Sequence, residues 1–164
     1  MIRLVTVIAV FTALLAIAGC TATRPNYSYN AAASDPVLLF QSDFDYHTWF
    51  EINIDPDGAN ACKNFKSAGY TLHVDSRLII GAKPDQEVQA RVPAGRPVAV
   101  KAHYNFSSGL GNDSCGPIYV TFTPEQGKTY LVRVARGGER CTVFVTDTAK
   151  PNVPFPVMGM TACK

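Results

Sequence analysis

From Val37 onward, apolar residues recur at every second position, and no stretch keeps helical spacing over a convincing length. This alternation is the signature of strands with one buried face. His47 to Ile54 places Phe50, Ile52 and Ile54 on one side and Trp49, Glu51 and Asn53 on the other. The Trp on the second side predicts that this side is partly covered. Tyr70, Leu72 and Val74 alternate with Thr71 and His73; Val88, Ala90 and Val92 alternate with Gln89 and Arg91. Val98, Val100, Ala102 and Tyr104 then alternate with Ala99, Lys101 and His103. Later runs are Ile118-Val120-Phe122, Tyr130-Val132-Val134 and Cys141-Val143-Val145.

Turn residues punctuate these runs. Asp55-Pro56-Asp57-Gly58, Lys83-Pro84-Asp85-Gln86, Pro93-Ala94-Gly95-Arg96, Pro124 to Lys128 and Gly137-Gly138 each reverse the chain. Val88–Tyr104 reads as the clearest hairpin, and Gly137-Gly138 suits a tight one. Asp75-Ser76 leads into a further run at Arg77–Ile80, and Asn105 to Cys115 reads as a Gly/Ser/Asn loop. The tail from Lys150, with its prolines, is expected to lie along the domain without forming a helix. The predicted fold is all-β, an antiparallel β-sandwich of about 7–9 short strands.

Ahead of this domain, Leu4 to Ala18 is almost wholly apolar and follows Arg3. It is shorter than the ~20 apolar residues of a spanning helix and fits the apolar part of a secretory leader. The run ends Ile17-Ala18-Gly19-Cys20. This ending resembles the lipobox of bacterial lipoproteins. The resemblance implies a cleaved helical signal peptide over residues 1–19, a diacylglycerol on the Cys20 sulfur, and acylation of the new amino terminus. Chains of palmitate type add about 0.8 kcal/mol of membrane affinity per buried methylene, and several together hold durably. Position 21 is Thr, not Asp, so the resemblance implies the outer membrane rather than the inner one, with the domain facing the periplasm or the cell surface. Residues 20–36 then read as the lipidated cysteine and a flexible tether, able to stand the domain off by roughly 20 Å. Residues 37–164 form the sandwich.

The chain has five cysteines. With Cys20 assigned to lipid, Cys62, Cys115, Cys141 and Cys163 remain, an even number in an exported chain, which reads as a disulfide framework. Three pairings are open. We favour Cys115 with Cys141, tying two late strands, and Cys62 with Cys163, pinning the tail. The spacings lack the close pairs of a zinc site.

Sites of chemistry are sparse. Asn53-x-Asp55-x-Asp57-Gly58 matches the opening of a calcium loop, but Asn64 stands where a bidentate Glu belongs, so a turn is expected and no metal. His47, His73 and His103 lack metalloprotease spacing. Ser107-Ser108-Gly109-Leu110-Gly111 lacks the lysine and helix of a phosphate loop. Phe40, Phe44, Tyr46, Trp49 and Phe50, with Asp43 and Asp45, make an aromatic-rich stretch that suits core packing or a partner surface. The formal charge of +2, from 15 basic and 13 acidic residues without a basic stripe, argues against nucleic acid.

Val92-Pro93-Ala94-Gly95-Arg96-Pro97-Val98-Ala99-Val100, with Phe122 through Tyr130, resembles the strand–turn–strand grammar of PEGA-type, transthyretin-like surface domains. That resemblance implies an accessory or binding module without catalytic residues or cofactor. The expected function is therefore a non-enzymatic, membrane-anchored envelope module with an envelope protein as partner. The alternative is a periplasmic inhibitor of a cell-wall hydrolase, resembling lysozyme inhibitors in size, lipid and disulfides.

Overall fold

In a computed structural model, the structure describes residues 26–44, 46–57, 61–73, 88–108, 111–137, 140–159 and 163. The strands are β1 (Val37–Ser42), β2 (Tyr46–Asn53), β3 (Lys66–His73), β4 (Val88–Arg91), β5 (Val98–Ser108), β6 (Gly111–Phe122), β7 (Thr129–Gly137), β8 (Arg140–Asp147) and β9 (Met158–Gly159). They form two sheets, ordered β4-β1-β7-β8 and β3-β2-β5-β6-β9. The all-β sandwich expected from the alternation is what the chain adopts. The leader, the Asp75–Gln86 stretch and Gly137's turn partner Gly138 lie outside the described residues.

The inward sets are those that the alternation picks out. Leu38, Phe50, Ile52, Val98, Val100, Val132 and Val145 are each at most 1% exposed. Tyr130 is fully buried, and its phenol oxygen accepts a hydrogen bond from the Glu125 N–H at 2.9 Å. A polar pair, Ser42 and Thr48, shares a 2.7 Å hydrogen bond in the interior, so its hydroxyls are satisfied away from water.

Four expectations need correction. Val88–Tyr104 is not a hairpin: β4 pairs with β1 and β5 pairs with β2 and β6. Pro93-Ala94-Gly95-Arg96 carries the chain from one sheet to the other, and Pro124 to Lys128 does the same between β6 and β7. Alternation reports which side is buried, not which strand lies alongside. Second, Asn105–Cys115 is not a loop, because β5 and β6 stay paired out to Ser108↔Gly111. Third, β3 faces the other way: Thr71 is buried and Tyr70 is 45% exposed, since Trp49 opposite Tyr70 puts both outside. Fourth, β1 and β7 run parallel while the remaining strand pairs are antiparallel. Both strands start at the same end of the sandwich, β1 from the N-terminal segment and β7 from the crossover.

The segment ahead of β1, expected to be free of the domain, is docked on it over residues 26–36. Asn26 bridges Ser67, and the Tyr27 N–H donates to the Ser67 carbonyl at 2.6 Å. The Tyr27 hydroxyl donates to the Arg91 carbonyl at 2.7 Å; burial pushes the pKa of that hydroxyl up. Arg91 in turn donates to the carbonyls of Ala33 and Asp35. Residues 26–36 thus pack against the sheets ahead of β1.

Both favoured cysteine pairings are present: Cys62 with Cys163 and Cys115 with Cys141, at Cα separations of 5.1 and 5.7 Å. The second joins β6 to β8, closing one side of the sandwich across the sheets. The Gly137↔Arg140 pairing confirms the tight β7–β8 hairpin. The tail also runs as expected, with Pro154 bridging Thr146 and β9 adding to the edge of β6.

Candidate functional site

The outer face of the five-stranded sheet is assembled by register. Odd-numbered residues of β2 point outward, and Trp49 stands opposite Tyr70 on β3 and His103 on β5. The result is a continuous strip of rings. His47 meets the Tyr70 edge at 4.7 Å, His47 and Trp49 stack at 5.5 Å, and Trp49 and His103 lie nearly parallel at 5.3 Å. Such stacking contributes beyond simple area burial. It holds the rings in fixed positions while leaving them partly open to solvent.

The strip occupies one half of this face. The other half is roofed. Glu51, Asn53 and Ala99 point outward in the same register, yet each is at most 5% exposed. The chain after β2 folds back over them. Asn53 donates to the Lys63 carbonyl at 2.9 Å and accepts from the Asp55 N–H at 2.9 Å. Beneath this roof Lys101 donates to Glu51 at 2.9 Å and lies 5.9 Å from the Phe65 ring, which meets Tyr119 edge-on. A charge so sequestered needs its partner. The Cys62–Cys163 bond ties the roof to the end of the chain.

A bulge flanks the strip on each side. Between β2 and β3 the register shifts at Phe50/Glu51, beside Gly69 at φ 132°. Between β5 and β6 it shifts between Ala102 and Tyr104, opposite the cis Gly116–Pro117 peptide. Gly116 has φ 93°, and a Cβ there would stand 2.7 Å from the Ala102 carbonyl oxygen, so only glycine fits. Bulges re-aim side chains, and here the second opens a groove of about 310 Å³ beside His103. Lys101, Asn105, Ser114 and Pro117 line it further. The strip and groove together offer flat aromatic surface bordered by polar donors and acceptors, which is a binding chemistry.

The aromatic-rich stretch of the sequence is divided by the fold. Phe40, Phe44 and Phe50 are in the interior, with Phe40 against Phe50 and Phe44 stacked on Tyr104. Trp49 goes outside, and Asp45 and the Tyr46 side chain lie outside the described residues. Asp43 pairs with Arg133 at 2.7 Å. The Asn53 carboxamide oxygen accepts from the Asp55 N–H in a side-chain-stabilised turn, Gly58 lies outside the described residues, and among the described residues no three His, Cys, Asp or Glu side chains gather as a metal site. Ser107 and Ser108 lie in the β5–β6 pairing. The side chain of His73 and the whole of Gly109 and Leu110 lie outside the description, as does Cys20.

Sequence reasoning weighed His47, His73 and His103 only for metalloprotease spacing, which they lack, and did not join His47 to His103. The signal that unites them was present in the outward parity of 47, 49, 101 and 103. It becomes readable only once β2 is known to pair with β5 in the register Trp49↔His103.

No known protein-family model matches this chain, and a search of characterised proteins finds no match either.

Proposed function

We propose that this protein is a lipid-anchored envelope module, held in the outer membrane through Cys20, that binds an envelope protein with the ring strip of its five-stranded sheet and carries out no catalysis. The observation that carries the reading is the apolar run ending Ile17-Ala18-Gly19-Cys20 just ahead of the folded domain. The two cysteine pairs support an oxidising destination, since such bonds persist outside the cytosol. The strip supports a binding role, because fixed aromatic surface contacts a partner at low entropic cost.

Crosslinking in intact cells tests the reading. A photo-reactive residue at Tyr70 should give a discrete adduct with one envelope protein, and Trp49→Ala should abolish it while the domain stays folded. Adducts unchanged by Trp49→Ala, or none above those from a photo-reactive residue at Phe144 on the opposite sheet, would contradict it. A wall hydrolase in the adduct would specify the module as an inhibitor.

A further inference from the structure

The docking of Asn26 fixes how the domain can stand on a membrane. Its bridge to Ser67 is parallel to β3, so the chain before Asn26 approaches from the end of the sandwich where β3 begins. That same end carries residues 54–57 and 61–65, the β4–β5 and β6–β7 crossovers and the Asp147–Pro156 turn. Six peptide steps separate Cys20 from Asn26, a reach of about 20 Å at most. The nine residues of β7 already span about 30 Å. An acylated Cys20 sits at the lipid surface, so a domain standing on its opposite end would carry Asn26 farther away than the chain can reach.

The surface at the anchor-proximal end suits lipid contact. Val153 and Met158 are 59% and 70% exposed, among the largest exposures of big apolar side chains in the described residues. Lys63, Lys66, Arg96 and Lys150 are exposed around them. Asp55 and Asp57 share the rim, so apolar insertion and tether length, more than net charge, hold the contact.

We infer that the sandwich rests by this end on the leaflet that holds Cys20, with Val153 and Met158 at the headgroup level and the β7–β8 hairpin directed away from the membrane. The inference rests on the lipid-anchor reading. Arg140, at that hairpin, then lies about 23 Å farther from the lipid than Asp147, from seven residues of strand.

Trp49 is the single tryptophan, so placed probes are readable after Trp49→Phe. Full-length lipidated protein would be reconstituted in phosphatidylethanolamine/phosphatidylglycerol vesicles containing a headgroup-nitroxide lipid. Val153→Trp fluorescence should be quenched several-fold more strongly than Arg140→Trp fluorescence. A fifteen-residue Gly/Ser spacer after Thr23, adding about 20 Å of reach, should weaken quenching at Val153→Trp. Equal quenching at both probes in a chain whose intact mass includes the acyl groups would overturn the inference alone. An intact mass without acyl groups would overturn the anchor reading and this inference with it.

Discussion

The two sheets turn different faces to solvent. On the four-stranded sheet, charged partners meet at the surface: Arg133 with Asp43, their side chains 49% and 34% exposed, while Lys128 in the β6–β7 crossover bridges the exposed Glu125 and the more enclosed Asp147. On the five-stranded sheet, the pair Lys101–Glu51 is enclosed, with 20% and 6% exposure, while the rings beside it remain partly open. The same pleated geometry therefore supports two outcomes. Where a loop roofs the sheet, polar groups are locked into structure. Where no described residue roofs it, aromatic side chains are displayed without being needed for the interior. That separation of duties is what the proposed binding role of the strip relies on.

The largest expected effect breaks the roof. Replacing Cys62 and Cys163 with Ser removes a closure spanning 101 residues, worth about 4.7 kcal/mol in the chain-entropy model. Denaturant unfolding should show a large loss, and amide exchange should rise first at Asn53 and Ala99. A change below about 1 kcal/mol would mean the roof holds by packing alone.

Glu51→Ala comes next. It leaves the Lys101 ammonium beneath the roof without this carboxylate, and should cost about 1–3 kcal/mol. Asp43→Ala, on the other sheet, should cost less than about 1 kcal/mol, because exposed pairs contribute little. Equal losses in urea titrations of these two variants would erase the contrast between the faces.

The smallest effect is one of pH. The Asp147 carboxyl is held below its usual range, first by the Ala149 N–H and then by Lys128. A carboxylate whose folded pKa is depressed contributes stability that is present above its unfolded value and lost as pH falls through the folded one. Asp147→Asn should therefore flatten the fall in thermal midpoint below about pH 4, and leave the slope at neutral pH unchanged.

Much of the fold was legible because period-two alternation directly reports burial. Val98, Val100 and Ala102, or Tyr130, Val132 and Val134, could be set inward without knowing any partner strand. Partners were not legible. A crossover such as Pro93–Pro97 uses the same turn residues as a hairpin, and only long-range packing decides between them. Tyr70 shows the limit at an edge strand, where a bulge at Gly69 and the register with Trp49 override apparent polarity. The cysteine pairs were favoured because one choice tied late strands and the other secured a proline-rich tail, and both relations are set by chain order. The ring strip was hidden because its members come from three strands and no local motif links them.

The lipid on Cys20 is the claim on which location, orientation and partner all depend, and metabolic labelling with palmitate tests it most directly. The account predicts that label enters the wild-type protein, that this protein sediments with outer membranes, and that Cys20→Ser takes up no label and retains its leader. Wild-type protein without label, or a Cys20→Ser variant labelled as strongly as wild type, would contradict it.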